Sequence, residues 1–367
     1  MTKPRKSFHL GFKRWIIVAV IVLEIIVAGI YKPISPHVQL APETLTPVVE
    51  LPIIGNFALT NTMVSVFIAD IILILAAIAV FRAYRKPGSI PKGVAGVFEM
   101  IIEALYNLAQ TTAGKWAKKI FPVMATIFLL VLMVNLMKLI PGVESVGWLH
   151  EVPEGQHGYP VQSLGFMAYI YDPGEEQSAD NGQVDVTHEK RSGEANLAEG
   201  GDDEHGGGYN IIPFVRPAST DLSFTLSLAV IAILGVQIIG VRAGGLGYFT
   251  KFFNFGNFLK MWTKKKIGAF DMIMPLIDIF VGMLELMAEV ARIISFAFRL
   301  LGVMFAGAIL LFLMGSLFLV LQSGFLALEL FFGVIQAFVF AMLTLVFMTM
   351  ATHSHSGGHD EEHAEAH

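Results

Sequence analysis

Residues 272–316 form one almost unbroken apolar run, and charged side chains recur inside it at a fixed interval. At 1.5 Å per residue such a run exceeds a perpendicular crossing of a hydrocarbon core roughly 30 Å thick. A chain that keeps it can fold only as a tilted membrane helix or as two spans joined by a turn. With no polar break between 300 and 322, one long helix is expected. Composition agrees: 54% of the residues are hydrophobic and 15% charged, against about 25% charged in ordinary globular proteins.

Five further apolar runs, near 15–31, 63–81, 121–140, 222–241 and 325–350, are long enough to span. The fold expected is therefore an all-α polytopic membrane protein of about six membrane helices, the last two long and tilted. Lys and Arg set its orientation. Residues 1–14 carry five and 32–60 one; 82–119 carry seven, 142–215 two and 242–266 six. Rich and poor connections alternate once per span. The N- and C-termini, 82–119 and 242–266 are thus expected in the cytoplasm, and 142–215 outside. The first run has two open readings, an anchor or a cleaved signal peptide; Glu24 within it fits the anchor better. Downstream topology is the same either way.

The connections differ in character. Residues 93–110 place Glu99, Glu103, Asn107 and Gln110 at helical spacing, with Val97, Ile101, Leu105 and Leu108 on other faces, and Pro91 ahead as a start signal. This reads as an amphipathic helix on the cytoplasmic surface, or one packed on a partner. The stretch 142–215 holds 14 acids against 2 basic residues. Its centre, 172–208, has too few aliphatic residues for a core, whereas 157–171 contains Tyr159, Phe166, Tyr169 and Tyr171 and is expected to order. The last 15 residues hold five His and four acids, read as a solvated tail rather than a metal site. Five parts follow: 1–60, 61–141, 142–215, 216–352 and 353–367. The chain has no Cys, and no phosphate-cradling Gly loop or His-Glu-x-x-His is present. Any link to ATP has to come through a partner; no cofactor and no nucleic acid is expected.

The charges in the fifth run carry the chemistry. Each costs roughly 2.5–3.5 kcal/mol near a bilayer centre unless water or a partner compensates. Asp271, Asp278, Glu285, Arg292 and Arg299 lie seven apart and share one slowly drifting stripe. Asp271 and Asp278 read as hydrated at the cytoplasmic end. Glu289 and Arg292, three apart, are spaced to pair. Arg299 has no acid within four residues, which points to an ion pathway. The sixth run has its own stripe, Gln322, Glu329 and Gln336, again seven apart. Set antiparallel, Gln336 comes level with Arg299 and Glu329 lies about 10.5 Å further outward. Glu285, fourteen residues from Arg299 on the other side, supplies an inner carboxylate. Acids at two depths with an arginine between them suggest two half-channels and a barrier.

The runs LELMAEVARIISFAFRLLGVMFAGAILL and GVIQAFVFAMLTLVFMTMATHSH resemble subunit a of the F-type ATP synthases. Supporting stretches are FPVMATIFLLVLMVNLMKLIPGV, RPASTDLSFTLSLAV and TNTMVSVFIADIILIL, so the likeness covers roughly 60–140 and 216–352. It implies a proton-conducting stator subunit of the bacterial inner membrane, with no covalent chemistry of its own. Its partners would be a ring of subunit c, the peripheral stalk of subunit b, the rest of the synthase and the lipid bilayer. By the same likeness Arg299 is the arginine that faces the ring carboxylates, and Gln336 is its neighbour. Glu285 and Ser295 belong to the cytoplasmic exit path, Asn135 and Asp221 to the outer path. Glu329, Glu289 and Arg292 complete the expected proton path.

Four positions depart from the common pattern. Ala308 stands where Glu or His is usual, and Glu329 where His is frequent, as if the outer carboxylate had moved between facing helices. Val303 replaces an Asn, and Lys138 stands where an acid is frequent. Proton against sodium use is left open by the sequence. An ion-coupled secondary transporter is the alternative; no inverted repeat supports it. A pure scaffold leaves Arg299 unexplained.

The acidic insert is expected to be dispensable for conduction while concentrating cations near the outer mouth, an effect salt screens within about 10 Å at 0.1 M. Replacing 172–208 by a Gly/Ser linker should leave proton flux unchanged at high ionic strength and lower it only at low ionic strength. An equal loss at both would show a structural role instead.

Overall fold

The computed structural model describes residues 41–52, 55–84, 93–140, 143–151, 159–164, 167–170, 209–245, 248, 269–317 and 319–353, with isolated positions between 15 and 26. The centre of the insert (172–208), most of the basic stretch 242–266, and the tail beyond His353 lie outside these residues. Of the first apolar run, Trp15, Val18, Ala19, Val22, Leu23, Ile25 and Ile26 are described, and all are helical.

Six helices follow: α1 (Asn61–Tyr84), α2 (Val94–Ala113), α3 (Ala117–Met137), α4 (Leu222–Gly244), α5 (Ala269–Leu317) and α6 (Leu319–His353). Among the described residues, five stretches are long and apolar enough to cross a membrane: 61–83, 95–137, 222–244, 279–315 and 324–352. Four of them match the second, fourth, fifth and sixth runs read from the sequence; the stretch 95–137 contains most of the third run, 121–140, and also takes in the amphipathic stretch 93–110. The fifth run is one continuous helix of 49 residues.

Local chemistry sets the helix ends. Thr60 caps α1, its hydroxyl accepting from the Met63 N–H at 3.4 Å. Asp221 caps α4, its carboxylate accepting from the Ser223 N–H at 2.8 Å. Gly245, at φ 63°, closes α4 by donating its N–H to the Val241 carbonyl. Pro122 sits inside α3, one turn from its start.

The packed core belongs to a unit made of 39–144, 214–308 and 328–367. Ala109, Ala229, Ala297, Ala337 and Ala341 are fully buried there beside Ile120, Met124, Val131, Leu300, Met304, Phe340 and Leu345. Small residues at crossings let backbones approach, which is how helices associate where lipid removes the hydrophobic drive. Gly235 marks one crossing: a Cβ there would lie 2.7 Å from the Met348 methyl. A smaller cluster joins Ala69 of α1 to Val134, Met137 and Ala218. The opposite side of α1 exposes Phe67, Ile71, Ile74, Leu75, Ile78 and Phe81, as a lipid-facing surface requires.

Helix α2 follows its amphipathic pattern: Leu105, Ala109 and Ala113 are buried, and Glu103, Asn107 and Gln110 are exposed. It packs against α3.

Short antiparallel strand pairs add to the all-α expectation. β1 (Val49–Leu51) pairs with β2 (Gly55–Phe57) in the helical unit. A second unit contains Ser145–Pro213 and Ile309–Ala327, with Met1–Val38. In it β3 (Gly147–Glu151) pairs with β6 (Tyr209–Pro213), Gly147 opposite Pro213. That register demands glycine, since a Cβ at 147 would collide with the Ile212 carbonyl. β4 (Val161–Leu164) and β5 (Met167–Ile170) form a hairpin within the 157–171 stretch expected to order, and the Tyr169 hydroxyl donates to Gln162 Oε1 at 2.6 Å.

Candidate functional site

Two contacts fix the register of α5 against α6. The Phe296 and Phe340 rings meet edge to face with centroids 4.9 Å apart. Eleven residues on, Gly307 lies against Glu329, whose Oε1 would be 3.1 Å from a Cβ at 307. Eleven steps forward on one helix match eleven back on the other, so the pair is antiparallel and Arg299 comes level with Gln336 and Ala337. The carboxylate of Glu329 faces Gly307, next to Ala308, across this seam.

Around Glu329 the structure gathers three helices. Lys138, the residue after α3, forms an ion pair with Glu329 Oε1, and its Nζ also donates to the Met304 carbonyl at 3.0 Å. Both side chains are buried. One turn back, Asn135 Nδ2 donates to the Gly333 carbonyl at 2.9 Å. Asn135 Oδ1 is buried without a hydrogen bond. At the same end of the helices, buried Asp221 accepts from the Thr62 hydroxyl at 2.9 Å, and the Ser65 hydroxyl donates to Met137 Sδ at 3.8 Å. The start of α1, the end of α3 and the start of α4 thus share one polar layer. It lies at the end bearing the connections expected outside.

The other cluster sits on the opposite side of Arg299 along α5. Arg292 Nη1 donates to Glu289 Oε1 at 2.6 Å, and Arg292 Nη2 is 3.9 Å from Glu285 Oε1. Its guanidinium also lies over the Phe347 ring, 5.2 Å from the centroid. Glu289 is buried, while Glu285 and Arg292 are half-buried. The pairing spaced by three residues forms, and Arg292 reaches the second acid as well. Tyr248 lies nearby, fully buried, and a Cβ at Gly240 would collide with its ring. Burial pushes its phenol above the usual range of about 10; Glu289 adds to this and Arg292 opposes it.

Arg299 belongs to neither cluster. Its side chain is exposed, its hydrogen bond goes to the Ser295 hydroxyl at 3.5 Å, and its guanidinium stands 5.9 Å from the Phe296 centroid. No acid among the described residues lies within ion-pair distance of it. Gln336, level with it, is buried, with Nε2 making no hydrogen bond. Around Arg299 the α5 surface is apolar and open: Ile294, Phe298 and Val303 are exposed, as are the small residues Ser295, Gly302 and Ala306. A family model described as the ATP synthase A chain matches residues 63–349, a stretch containing all of these groups but Thr62.

The chain belongs to the ATP synthase A chain family.

Relatives agree. ATP synthase subunit a of Moorella thermoacetica is 35% identical over 96 residues, 26% of this chain and 43% of that protein. The Sulfurihydrogenibium sp. protein of the same name is 38% identical over 80 residues, 22% of this chain and 39% of that protein. The Helicobacter pylori protein is 36% identical over 97 residues, covering 25% and 42%. The chain therefore spans less than half the length of the curated relatives it matches. Family membership and the long apolar helices make it a multi-pass membrane protein.

Sequence reasoning had named Lys138 only as a departure from the family pattern. A lysine in an apolar run has to find an acid, but nothing in the sequence says that the acid is 191 residues away. Thr62, Tyr248 and Glu144 were not singled out at all. Glu144 follows α3, outside its span. Burial pushes its carboxyl above the usual 4.5, against the pull of Lys138 and Arg216 and with a push from Glu329. The neutral form is the one favoured by folding here. Stability from this group is therefore present in acid and lost as pH rises above 4.5 through the raised value. Glu144→Gln should flatten the fall in thermal stability of the complex from acid to neutral pH, and equal falls in both proteins would contradict this placement.

Proposed function

We propose that this chain is the proton-conducting stator subunit of a rotary F-type ATP synthase, working beside a ring of subunit c in a bacterial inner membrane. Two half-channels, offset in depth, lead to and from the ring, and Arg299 separates them. The outer path runs past Glu144, Asp221, Asn135 and Glu329 toward Gln336. The inner path runs past Ser295, Glu289, Arg292 and Glu285. The peripheral stalk of subunit b holds the chain still while the ring turns.

The observation that carries this reading is Arg299, an exposed charge partway along a membrane-length helix with no counter-ion among the described residues. A bare guanidinium is costly in lipid, so its partner has to be supplied from outside the chain. A carboxylate on each passing ring subunit meets that need. Opposite charge favours the ionised form of that carboxylate; an arriving protonated group gives its proton to the inner path. Beyond the arginine the same carboxylate is re-protonated from the outer path before it enters lipid. The arginine itself is never deprotonated, which is why it bars a direct leak between the paths. Ser295, Gly302 and Ala306 suit the surface to this task. At these small residues, with open space around Gly302, a ring helix can approach closely.

Arg299→Ala in the assembled synthase should lower ATP-driven proton pumping by at least about tenfold while the complex still assembles. Glu329→Gln should slow pumping, and adding Ala308→Glu should restore part of it by returning a carboxylate to the same depth. Near-normal pumping in Arg299→Ala would overturn the assignment, and unchanged flow in Glu329→Gln would remove Glu329 from the path.

A further inference from the structure

The Lys138 ammonium occupies a position built from oxygen. It is held by a carboxylate oxygen of Glu329 on α6 and the backbone carbonyl of Met304 on α5. One turn away, buried Asn135 Oδ1 has no hydrogen bond. Carboxylate, peptide carbonyl and amide oxygens are the donors that hold hard metal cations. The pocket is also confined, because Glu329 packs on Gly307, where even a Cβ would sit 3.1 Å from Oε1. Without a resident charge, this would be a place for a small desolvated cation. With Lys138 there the site is neutral and already occupied.

We propose that Lys138 is a specificity-determining residue of the outer path: its tethered ammonium takes the place beside Glu329 and the Met304 carbonyl that Na⁺ would otherwise occupy. The path then passes protons and rejects metal cations. A proton needs no such cage. It moves along hydrogen bonds and binds a single carboxylate oxygen, and the ammonium holds Oε1. The inference rests on the reading of Glu329 as part of the ion path. It assigns a role to the lysine that stands where the family often has an acid, and it places part of the ion selectivity in the stator instead of leaving all of it to the ring.

The test uses the whole synthase in sealed vesicles, comparing ATP-driven proton pumping in NaCl and in choline chloride of equal ionic strength. The variants are Lys138→Met, Lys138→Gln, Lys138→Arg and the double variant Lys138→Met/Glu329→Gln. The neutral single variants should lose pumping in NaCl by roughly threefold or more relative to choline at matched screening. Wild type and Lys138→Arg should show no difference, and neither should residual pumping in the double variant, which lacks the carboxylate. If Lys138→Met or Lys138→Gln assembles poorly, Na⁺ during assembly should rescue it by replacing the lost charge. Sodium-indifferent pumping in both neutral variants would overturn the proposal, as would sodium-sensitive pumping in wild type. Failure of both to assemble at any sodium level, with the double variant assembling, would overturn it too and make the pair a structural tie. Loss of pumping in Arg299→Ala is scored separately, so the filter can fail while the channel reading stands.

Discussion

The antiparallel register of the last two helices is the constraint on which the arrangement depends. Phe296 against Phe340 and Gly307 against Glu329 lock it. A slip of one residue would rotate each side chain by about 100° around its helix and dismantle every polar contact along the seam. The register brings Gln336 level with Arg299 and lets Lys138 reach an acid on α6 and a carbonyl on α5 at once. Fully buried alanines on α5 and α6, Ala297, Ala337 and Ala341, allow that approach.

Charge compensation then divides the ionisable residues into two kinds. Lys138 with Glu329, and Arg292 with Glu289 and Glu285, find counter-charges within the chain. Breaking one partner of a buried pair typically costs about 3–5 kcal/mol, so the Lys138–Glu329 pair ties the end of α3 to α6, whereas the Arg292 pairs lie within α5. Arg299 is of the other kind. Its neighbours are a hydroxyl and an aromatic ring, and the surface around it is built of small and apolar residues. Among the described residues no acid lies within ion-pair distance of Arg299.

Much of this was legible because membrane solvation writes itself into sequence. The run 272–316 gave the long α5, and the seven-residue interval gave the stripe with Arg299 on it. Two things blurred that stripe. An α-helix drifts about 20° per heptad, so a seven-residue interval holds a face only approximately: Arg292 is half-buried over Phe347 of α6, whereas Arg299, one heptad on, is exposed. The pairing of Lys138 with Glu329 depends on three-dimensional closure across 191 residues, and no local pattern encodes it. The strand pairs were missed because each strand is five residues or fewer, too short for its alternation to stand out beside runs of twenty apolar residues. Glu144 looked like one acid among the 14 of the insert; its burial beside α3 sets it apart.

The central claim is that Arg299 divides two ion paths, and passive leak tests it most directly. Vesicles carrying the membrane sector without its catalytic head are given an imposed pH gradient, and proton flux is compared between wild type and Arg299→Ala. If the guanidinium is the barrier, its removal lets ring carboxylates pass between the paths unchecked, and the leak rises well above wild type. A leak equal to wild type, in a sector shown to retain its ring, would mean that the two paths are separated by something other than Arg299.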